Sequence, residues 1–283
     1  MQWPLPDKEL DLPQGRLRYL DSGNGEPIVF IHGLLVNGLV WRKVIPWFED
    51  NFRCIVPELP LGSHTIPMHP DADLSPMGLE ALIEGFCAAL GLQEVTLVGS
   101  DTGGALSQLV AAHDPGRVNR LALAPCDSFE HFLPPKFRHL QWAARVPGAP
   151  FLLTQPLRLA ALRRSRLGFG LLIKGEQDPE VTGSWLRPFL SSRDIRRDAV
   201  KFLRQIDTRY TLEAARLLAG FDRPALLVWP RDDRVFDFSL AERLVTALPH
   251  GELVAIDDSY AFVPEDQPER FASELESFIR RTP

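Results

Sequence analysis

The stretch VTLVGSDTGG, residues 95–104, decides the fold of this chain. An apolar run of strand length ends in a turn rich in glycine, and helical periodicity follows at 104–113. In a strand–turn–helix of this kind the apex residue has a strained backbone, and flanking glycines let the neighbouring chain pass close to it. The apex is Asp101, so its side chain is predicted to project alone from the end of a strand.

The same turn predicts a site for negative charge. Thr102 directly follows the apex at the start of the helix, where backbone N–H groups lack partners and the helix dipole favours anions. A second donor is expected from the loop His32-Gly33-Leu34, which follows the apolar run 28–31. The backbone N–H groups of Leu34 and Thr102 are therefore predicted to form an oxyanion hole.

Outward from this turn, apolar runs of strand length alternate with helical periodicity, the pattern of a mainly parallel sheet covered by helices on both faces. Between residues 129 and 220 the pattern changes to proline-interrupted helical segments without a convincing strand, which predicts a helical cap inserted into a core of residues 1–128 and 221–283. An edge hairpin is predicted at 9–12 and 16–20, strands at 28–31, 53–59, 95–100, 121–126, 225–229 and 252–256, and core helices at 74–90, 104–113, 239–248 and 269–280.

Composition narrows the classes of function. The chain has 283 residues, 45% hydrophobic content and a net charge of −6, so it can bury a large core but offers no overall basic field for nucleic acid or an anionic bilayer. Residues 1–15 lack an apolar targeting segment, and no stretch approaches the roughly 20 apolar residues of a membrane span. We therefore expect a cytoplasmic protein with a small-molecule substrate and without a nucleic-acid or membrane partner; the oligomeric state is left open.

No cofactor or metal is expected either. The first apolar run is not followed by a glycine-rich dinucleotide motif, and no His/Cys cluster has the spacing of metal ligands. The three cysteines, Cys54, Cys87 and Cys126, are widely spaced and are expected to be reduced thiols without a catalytic role.

Four motifs carry a family resemblance over nearly the whole chain: FIHG at 30–33, the glycine-flanked turn at 99–104, VWPRDDR at 228–234 and VPEDQPERF at 263–271. Together with the helical insertion they resemble the α/β-hydrolase superfamily, and an aspartate at the apex resembles its haloalkane dehalogenase and epoxide hydrolase branch. The resemblance implies that Asp101 attacks a carbon atom and forms an alkyl ester, which a histidine-activated water then hydrolyses. It also implies an acid that orients this histidine, which by position is Asp233, with the adjacent Asp232 as the alternative if the register differs by one residue.

The chain departs from the branch at the histidine. In the family register Ala261, next to Tyr260, occupies the position of the catalytic histidine, so the usual base for ester hydrolysis is missing. His32, His113 and His250 are predicted to be structural. Candidates for a relocated base are the histidines at the end of a core strand or at the start of the cap, namely His64, His69, His131 and His139.

The features that separate the two enzyme types of the branch are also missing. Epoxide hydrolases of this type resemble one another in using two cap tyrosines, whereas only Tyr210 lies inside the predicted cap; haloalkane dehalogenases place a tryptophan where this chain has Thr102. Asp127 is either a second charged group at the site or a turn residue, and Ser100 is expected to point into the sheet. Two hypotheses follow: a hydrolase-type enzyme that uses Asp101 as its nucleophile, or a non-hydrolytic homologue that uses the pocket for ligand binding or acid/base chemistry.

Overall fold

Eight strands form one sheet in the computed structural model, which describes residues 7–282. The strand order is β1-β2-β4-β3-β5-β6-β7-β8; β1 and β2 run antiparallel to their neighbours, and the strands from β4 to β8 are parallel. The strands are β1 (Lys8–Leu12), β2 (Gly15–Ser22), β3 (Glu26–Ile31), β4 (Phe52–Pro57), β5 (Val95–Asp101), β6 (Val118–Cys126), β7 (Pro224–Pro230) and β8 (His250–Ile256).

Helices cover the sheet and account for the continuous apolar character of its central strands, because a parallel strand buried on both faces cannot alternate polar with apolar residues. Ile28 to Ile31 in β3 are fully buried, as are most side chains of β5 and β6. The helices are α1 (Pro76–Ala89), α2 (Thr102–His113), α3 (Arg138–Ala143), α4 (Ala149–Thr154), α5 (Ala160–Arg164), α6 (Pro179–Ser191), α7 (Arg193–Gln205), α8 (Thr208–Leu217), α9 (Phe238–Ala247), α10 (Val263–Asp266) and α11 (Pro268–Arg281).

The predicted α/β-hydrolase fold is confirmed. The opening hairpin forms β1 and β2, and the six later runs form β3 to β8. The first core helix begins at Pro76 with Ser75 as its cap, whose Oγ accepts from the Gly78 N–H at 3.0 Å. Helix α2 begins at Thr102, two residues before the predicted start, because Gly103 and Gly104 belong to its first turn rather than to the preceding loop.

The segment between β6 and β7 contains helices α3 to α8 and no named strand within the described chain. It is tied to the core through a buried carboxylate: Asp198 on α7 accepts from the Met68 N–H at 2.8 Å and lies 3.3 Å from His64 Nε2. Thr211 on α8 also donates to the carbonyl of Phe129 at 2.6 Å. These bonds hold the helical segment over the ends of the core strands.

None of the helices in residues 7–282 is long and apolar enough to cross a membrane.

Candidate active site

Asp101 lies at the junction of β5 and α2, and its backbone has a conformation that residues other than glycine rarely adopt. Its φ is 55° and its ψ is −135°, and the pairing of β5 with β6 shifts register between Gly99 and Asp101. A non-glycine residue in this region costs of order 1–3 kcal/mol, which the surrounding structure must offset. The predicted strained apex is therefore present, and the strain turns the carboxylate away from the sheet into a cavity.

Two glycines leave the space that this turn needs. A Cβ on Gly33 would overlap the Asp101 carboxylate and lie 2.6 Å from its Cβ. A Cβ on Gly104 would overlap the Cβ of Cys126 and lie 2.7 Å from its Sγ, so α2 could not approach β6. Both positions require glycine for close approach, although neither has a positive φ.

Leu34 and Thr102 present their backbone N–H groups to the Asp101 carboxylate, as predicted for the two donors. Burial raises the pKa of Asp101 to about 7, these two N–H groups oppose the rise, and the nearby Asp233 charge adds to it. The donors do not fully compensate for desolvation, so the carboxyl changes its protonation state near neutral pH. A substantial ionised fraction is present at pH 7 and grows as the pH increases.

Asp233 is partly buried after β7, and only one of its two carboxylate oxygens is hydrogen-bonded. Its Oδ1 accepts from the N–H groups of Val235 at 2.8 Å and Phe236 at 3.2 Å, while its buried Oδ2 has no hydrogen-bond partner among the described residues. Burial raises the pKa of Asp233 to about 7, and the two N–H groups oppose this. Asp232, the alternative acid, is instead exposed and forms an ion pair with Lys174 at 3.1 Å.

Asp127 follows β6, is a third acid near the apex and is fully buried. Its Oδ2 lies 3.4 Å from Thr102 Oγ1, and its Oδ1 accepts from the Leu133 N–H at 2.9 Å. Burial raises the pKa of Asp127 well above its usual range, and the neighbouring Asp101 raises it further. The sequence left two interpretations of Asp127 open, a second charged group at the site or a turn residue. The geometry supports both roles, because Asp127 holds the turn that follows it and adds an acid beside Asp101.

Two histidines, His32 and His64, are fully buried near the loop that carries Leu34, and burial disfavours their charged forms. His32 Nε2 accepts from the Leu59 N–H at 3.0 Å, so its Nδ1 carries the proton and donates to the Gly33 carbonyl at 3.0 Å; burial lowers the pKa of His32 to about 4. His64 lies against Asp198, and burial lowers its pKa as well. Both side chains hold loops in place through these hydrogen bonds, and neither lines the cavity next to Asp101.

The remaining candidates for a relocated base are exposed or partly exposed, and among them only His139 on α3 lines the cavity. No hydrogen bond joins the described imidazoles to Asp101. Ala261 is fully buried, and the next residue, Phe262, donates its N–H to the carbonyl of Leu172 at 2.8 Å. The loop that carries Ala261 is therefore fastened to the cap segment.

The cavity over Asp101 has a volume of about 300 Å³ and a mainly apolar wall. Sequence reasoning did not identify most of this wall, because its leucines show the same periodicity as ordinary packing residues. Neither Trp142 nor Trp185 belongs to it; Trp185 instead packs edge-on against Phe169 at 4.9 Å. The lining residues are Leu34, Leu35, Asp101, Thr102, Leu133, Phe137, His139, Leu140, Leu153, Thr154, Pro156, Leu157, Leu162, Leu167, Gly168, Phe169, Leu172 and Leu186.

Sequence comparison agrees with this geometry. The profile of the family described as alpha/beta hydrolase fold matches residues 26–268, from β3 to the start of α11. The chain belongs to the α/β-hydrolase fold family. Within the described residues of this α/β-hydrolase-fold protein, no group of three or more His, Cys, Asp or Glu side chains is placed to hold a metal ion.

Relatives of this α/β-hydrolase-fold protein match it over most of their length. Haloalkane dehalogenase 2 of Mycobacterium tuberculosis is 27% identical, with 96% of this chain and 94% of that protein covered. The cis-3-alkyl-4-alkyloxetan-2-one decarboxylase of Xanthomonas campestris is also 27% identical, with 98% and 96% covered. Among solved structures, an α/β-hydrolase-fold protein from Burkholderia ambifaria superposes with a TM-score of 0.84 at 22% identity, over 98% of this chain and 99% of that one.

Proposed function

We propose that this protein is an enzyme in which Asp101 attacks a carbon atom of a small, mostly apolar electrophile. The observation that carries the proposal is the position of the Asp101 carboxylate: it stands alone at a strained apex, faces an apolar cavity and receives the N–H groups of Leu34 and Thr102. A carboxylate that only capped the helix would accept from the N–H of the second or third residue of α2, Gly103 or Gly104, and the Asp101 side chain makes no such capping bond.

In the proposed first step, an Asp101 oxygen forms a bond to the substrate carbon while the bond from this carbon to its leaving group breaks. The leaving atom takes the electron pair of this bond: a halide departs, whereas the alkoxide of an opened epoxide or the carboxylate of an opened four-membered lactone stays attached to the esterified substrate. The product that remains on the enzyme is an ester of Asp101. The Leu34 and Thr102 N–H groups hold the non-attacking oxygen and would stabilise negative charge there during ester cleavage.

The residues that line the cavity and the names of two relatives together indicate the class of substrate. Ten of the eighteen residues that line the cavity are leucines, and such a wall suits unbranched or lightly branched alkyl groups. The names of two relatives refer to haloalkanes and to alkyl-substituted oxetan-2-ones. We therefore propose alkyl electrophiles of these two kinds, with epoxides as a third kind to test.

The second step, hydrolysis of the ester, lacks its usual base in this proposal. Water must attack the Asp101 carboxyl carbon and lose a proton, and Ala261 cannot accept one. The buried Oδ2 of Asp233 has no hydrogen-bond partner in residues 7–282, as expected of an acid whose histidine partner had been replaced by alanine. We propose that ester hydrolysis is slower than ester formation, so that the alkyl-enzyme accumulates.

Intact-protein mass spectrometry tests this proposal. The protein is incubated separately with 1-haloalkanes, terminal epoxides and alkyl-substituted oxetan-2-ones; peptides are mapped and the released hydroxylated product is assayed in the same samples. We expect an adduct on the peptide that contains Asp101, absent from Asp101→Asn and retained by Asp232→Asn. Absence of both adduct and product with all three classes would contradict the proposed nucleophile, and product without an adduct would contradict the slow second step.

A further inference from the structure

The charge of this chain is unevenly distributed. Although the whole molecule has a net charge of −6, the segment 131–175 contains eight Lys and Arg residues and no Asp or Glu. Five of its arginines are exposed and have no ion-pair partner among the described residues: Arg138, Arg145, Arg158, Arg164 and Arg166. The segment therefore presents a locally basic surface on an acidic protein, which the net charge conceals.

Exposed apolar side chains are concentrated in the same part of the chain. Of the eight large apolar side chains that are exposed within residues 7–282, six lie between positions 142 and 167. Trp142 is 64% exposed and Leu167 79%; the other four are Val146, Leu152, Leu153 and Leu159. Soluble monomers normally scatter such residues singly, and a concentration of them marks an interaction site.

The entrance of the cavity lies among these residues. Leu153 on α4 and Leu167 after α5 are exposed and also line the cavity over Asp101. His139 on α3 is a third exposed lining residue, and Trp142 lies three positions further along this helix, on the same side. Helices α3 and α4 and the loop after α5 thus surround the opening with apolar side chains, and the exposed arginines belong to the same segment.

We propose that this arginine–leucine surface, formed by the exposed side chains of residues 138–167, docks on a phospholipid bilayer that carries anionic headgroups. Tryptophan and leucine side chains beside unpaired arginines are the combination that places a protein surface at the boundary between headgroups and acyl chains. Each arginine near such a surface gains from the negative potential of the leaflet. Docking would be peripheral, because no helix of the described residues is suited to cross the bilayer.

A second copy of the chain fits this surface less well. A two-fold dimer would place the same patch on both sides of the interface and bring unpaired arginines against unpaired arginines, without an acidic residue from this segment to separate them. Nucleic acid would pair with the arginines but would leave the exposed leucines in water. This proposal differs from the expectation of no membrane partner, which was based on the net charge of the whole chain. The acidic residues that make the net charge negative lie outside the segment 131–175.

Docking would also change the route by which the substrate reaches the cavity. This part of the inference rests on the proposed function. An alkyl electrophile dissolved among acyl chains would enter the cavity between Leu153 and Leu167 without crossing bulk water. Membrane binding itself does not require Asp101 to be a nucleophile. Asp101→Asn should therefore bind vesicles as the unaltered protein does, which separates failure of this inference from failure of the proposed activity.

Vesicle flotation tests the docking surface. The full chain is mixed with vesicles of phosphatidylcholine alone or of phosphatidylcholine with phosphatidylglycerol. We expect flotation only with the mixed vesicles and its loss when NaCl is raised from about 0.05 M to about 0.5 M. Arg164→Gln/Arg166→Gln should weaken binding about 25-fold, at about fivefold per arginine, and Leu167→Ser should weaken it about tenfold.

Matched variants outside the surface serve as controls. Arg216→Gln/Arg223→Gln removes two exposed arginines and Leu212→Ser removes an exposed leucine, all from 212–223, and each should bind like the unaltered protein. The proposal is overturned if the mixed vesicles do not bind the protein, or if the control variants lose as much affinity as the surface variants. It is also overturned, in favour of a second copy, if sedimentation shows a dimer that Leu167→Ser dissociates while vesicle binding is absent.

Discussion

At the scale of single residues, Asp101 experiences opposing influences that set its protonation. Burial disfavours its charge, whereas the N–H groups of Leu34 and Thr102 favour it, and the resulting pKa is about 7. A nucleophilic carboxylate has to be ionised, so chemistry at Asp101 is coupled to pH in the neutral range. Asp233 contributes to this coupling because its charge raises the same pKa.

This coupling predicts how adduct formation depends on pH. The rate of modification of Asp101 by a haloalkane should increase about tenfold per pH unit below the pKa of about 7 and level off above it, because only the carboxylate attacks. Asp233→Asn removes a neighbouring negative charge and should move the midpoint to lower pH. Asp232→Asn, at an exposed ion pair, should leave it in place. A rate that is constant from about pH 5 to about pH 9 would contradict this account.

Ala261 leads to a second prediction at this scale. Ala261→His should accelerate release of product from the preformed Asp101 ester by about 10²–10⁴-fold, since it supplies a general base. Adding Asp233→Asn to this variant should remove much of the gain, because Oδ2 of Asp233 is the free acceptor for an imidazole.

Ala261→Phe is the matched control for added volume at this fully buried position. It should leave the ester as long-lived as in the unaltered protein. Circular dichroism establishes whether each variant folds, because overpacking a core position costs about 1–3 kcal/mol. A folded Ala261→His protein with unchanged ester lifetime would mean that residue 261 does not occupy the position of the base.

At the scale of secondary structure elements, the turn between β5 and α2 forms the site together with the loop after β3, which passes directly over it. Gly33 makes this approach possible, as a Cβ there would collide with Asp101 itself. Gly85 on α1 offers a contrast, because a Cβ at this helical position would meet nothing within 4 Å. Position 33 therefore requires glycine, whereas position 85 has room for a side chain.

Substitution of these glycines tests that difference. Gly33→Ala should displace the Asp101 carboxylate, lower the rate of adduct formation by about 100-fold or more and destabilise the fold by about 1–3 kcal/mol. Gly85→Ala should leave the adduct rate unchanged and stabilise α1 by about 0.5–1 kcal/mol. Urea unfolding and the adduct assay measure the two effects. Equal adduct rates in Gly33→Ala and the unaltered protein would show that the loop contact is not needed.

At the scale of the whole molecule, three acids at the site, Asp101, Asp127 and Asp233, have raised pKa values and so destabilise the folded state when they ionise. A carboxyl whose folded pKa lies above its unfolded pKa stabilises the fold at acidic pH, and this contribution is lost as pH rises through the folded pKa. For Asp233 the loss falls between about pH 4 and about pH 7. The site therefore weakens the fold under the conditions in which Asp101 is ionised.

Asp233→Asn should remove its share of this loss. We expect the melting temperature of the variant to match that of the unaltered protein near pH 4 and to exceed it at about pH 8, by about 2–4 °C for each kcal/mol gained. Thermal unfolding followed by circular dichroism across this range gives the comparison. Asp232→Asn serves as the exposed control, and melting curves of Asp233→Asn that run parallel to those of the unaltered protein at every pH would contradict the raised pKa.

The sequence by itself determined the sheet, the order of its strands and helices along the chain and the strained apex at Asp101. These features depend on periodicity and on turn residues within about ten positions of one another, which a sequence displays directly. The helix α1 with its Ser75 cap and the hairpin β1–β2 follow the same logic. The start of α2 differed by two residues, because glycines mark loops and close-packed helices alike.

Only the tertiary structure decided which distant side chains meet. It shielded the Oδ2 atom of Asp233 from solvent and left Asp232 at the surface, although adjacent residues have the same local pattern. It placed His64 against Asp198 rather than near Asp101, and it gathered leucines from several short cap helices into one wall. The physical reason is that these contacts join residues tens of positions apart, so their geometry depends on how helices pack over the sheet rather than on the local preferences of any single segment.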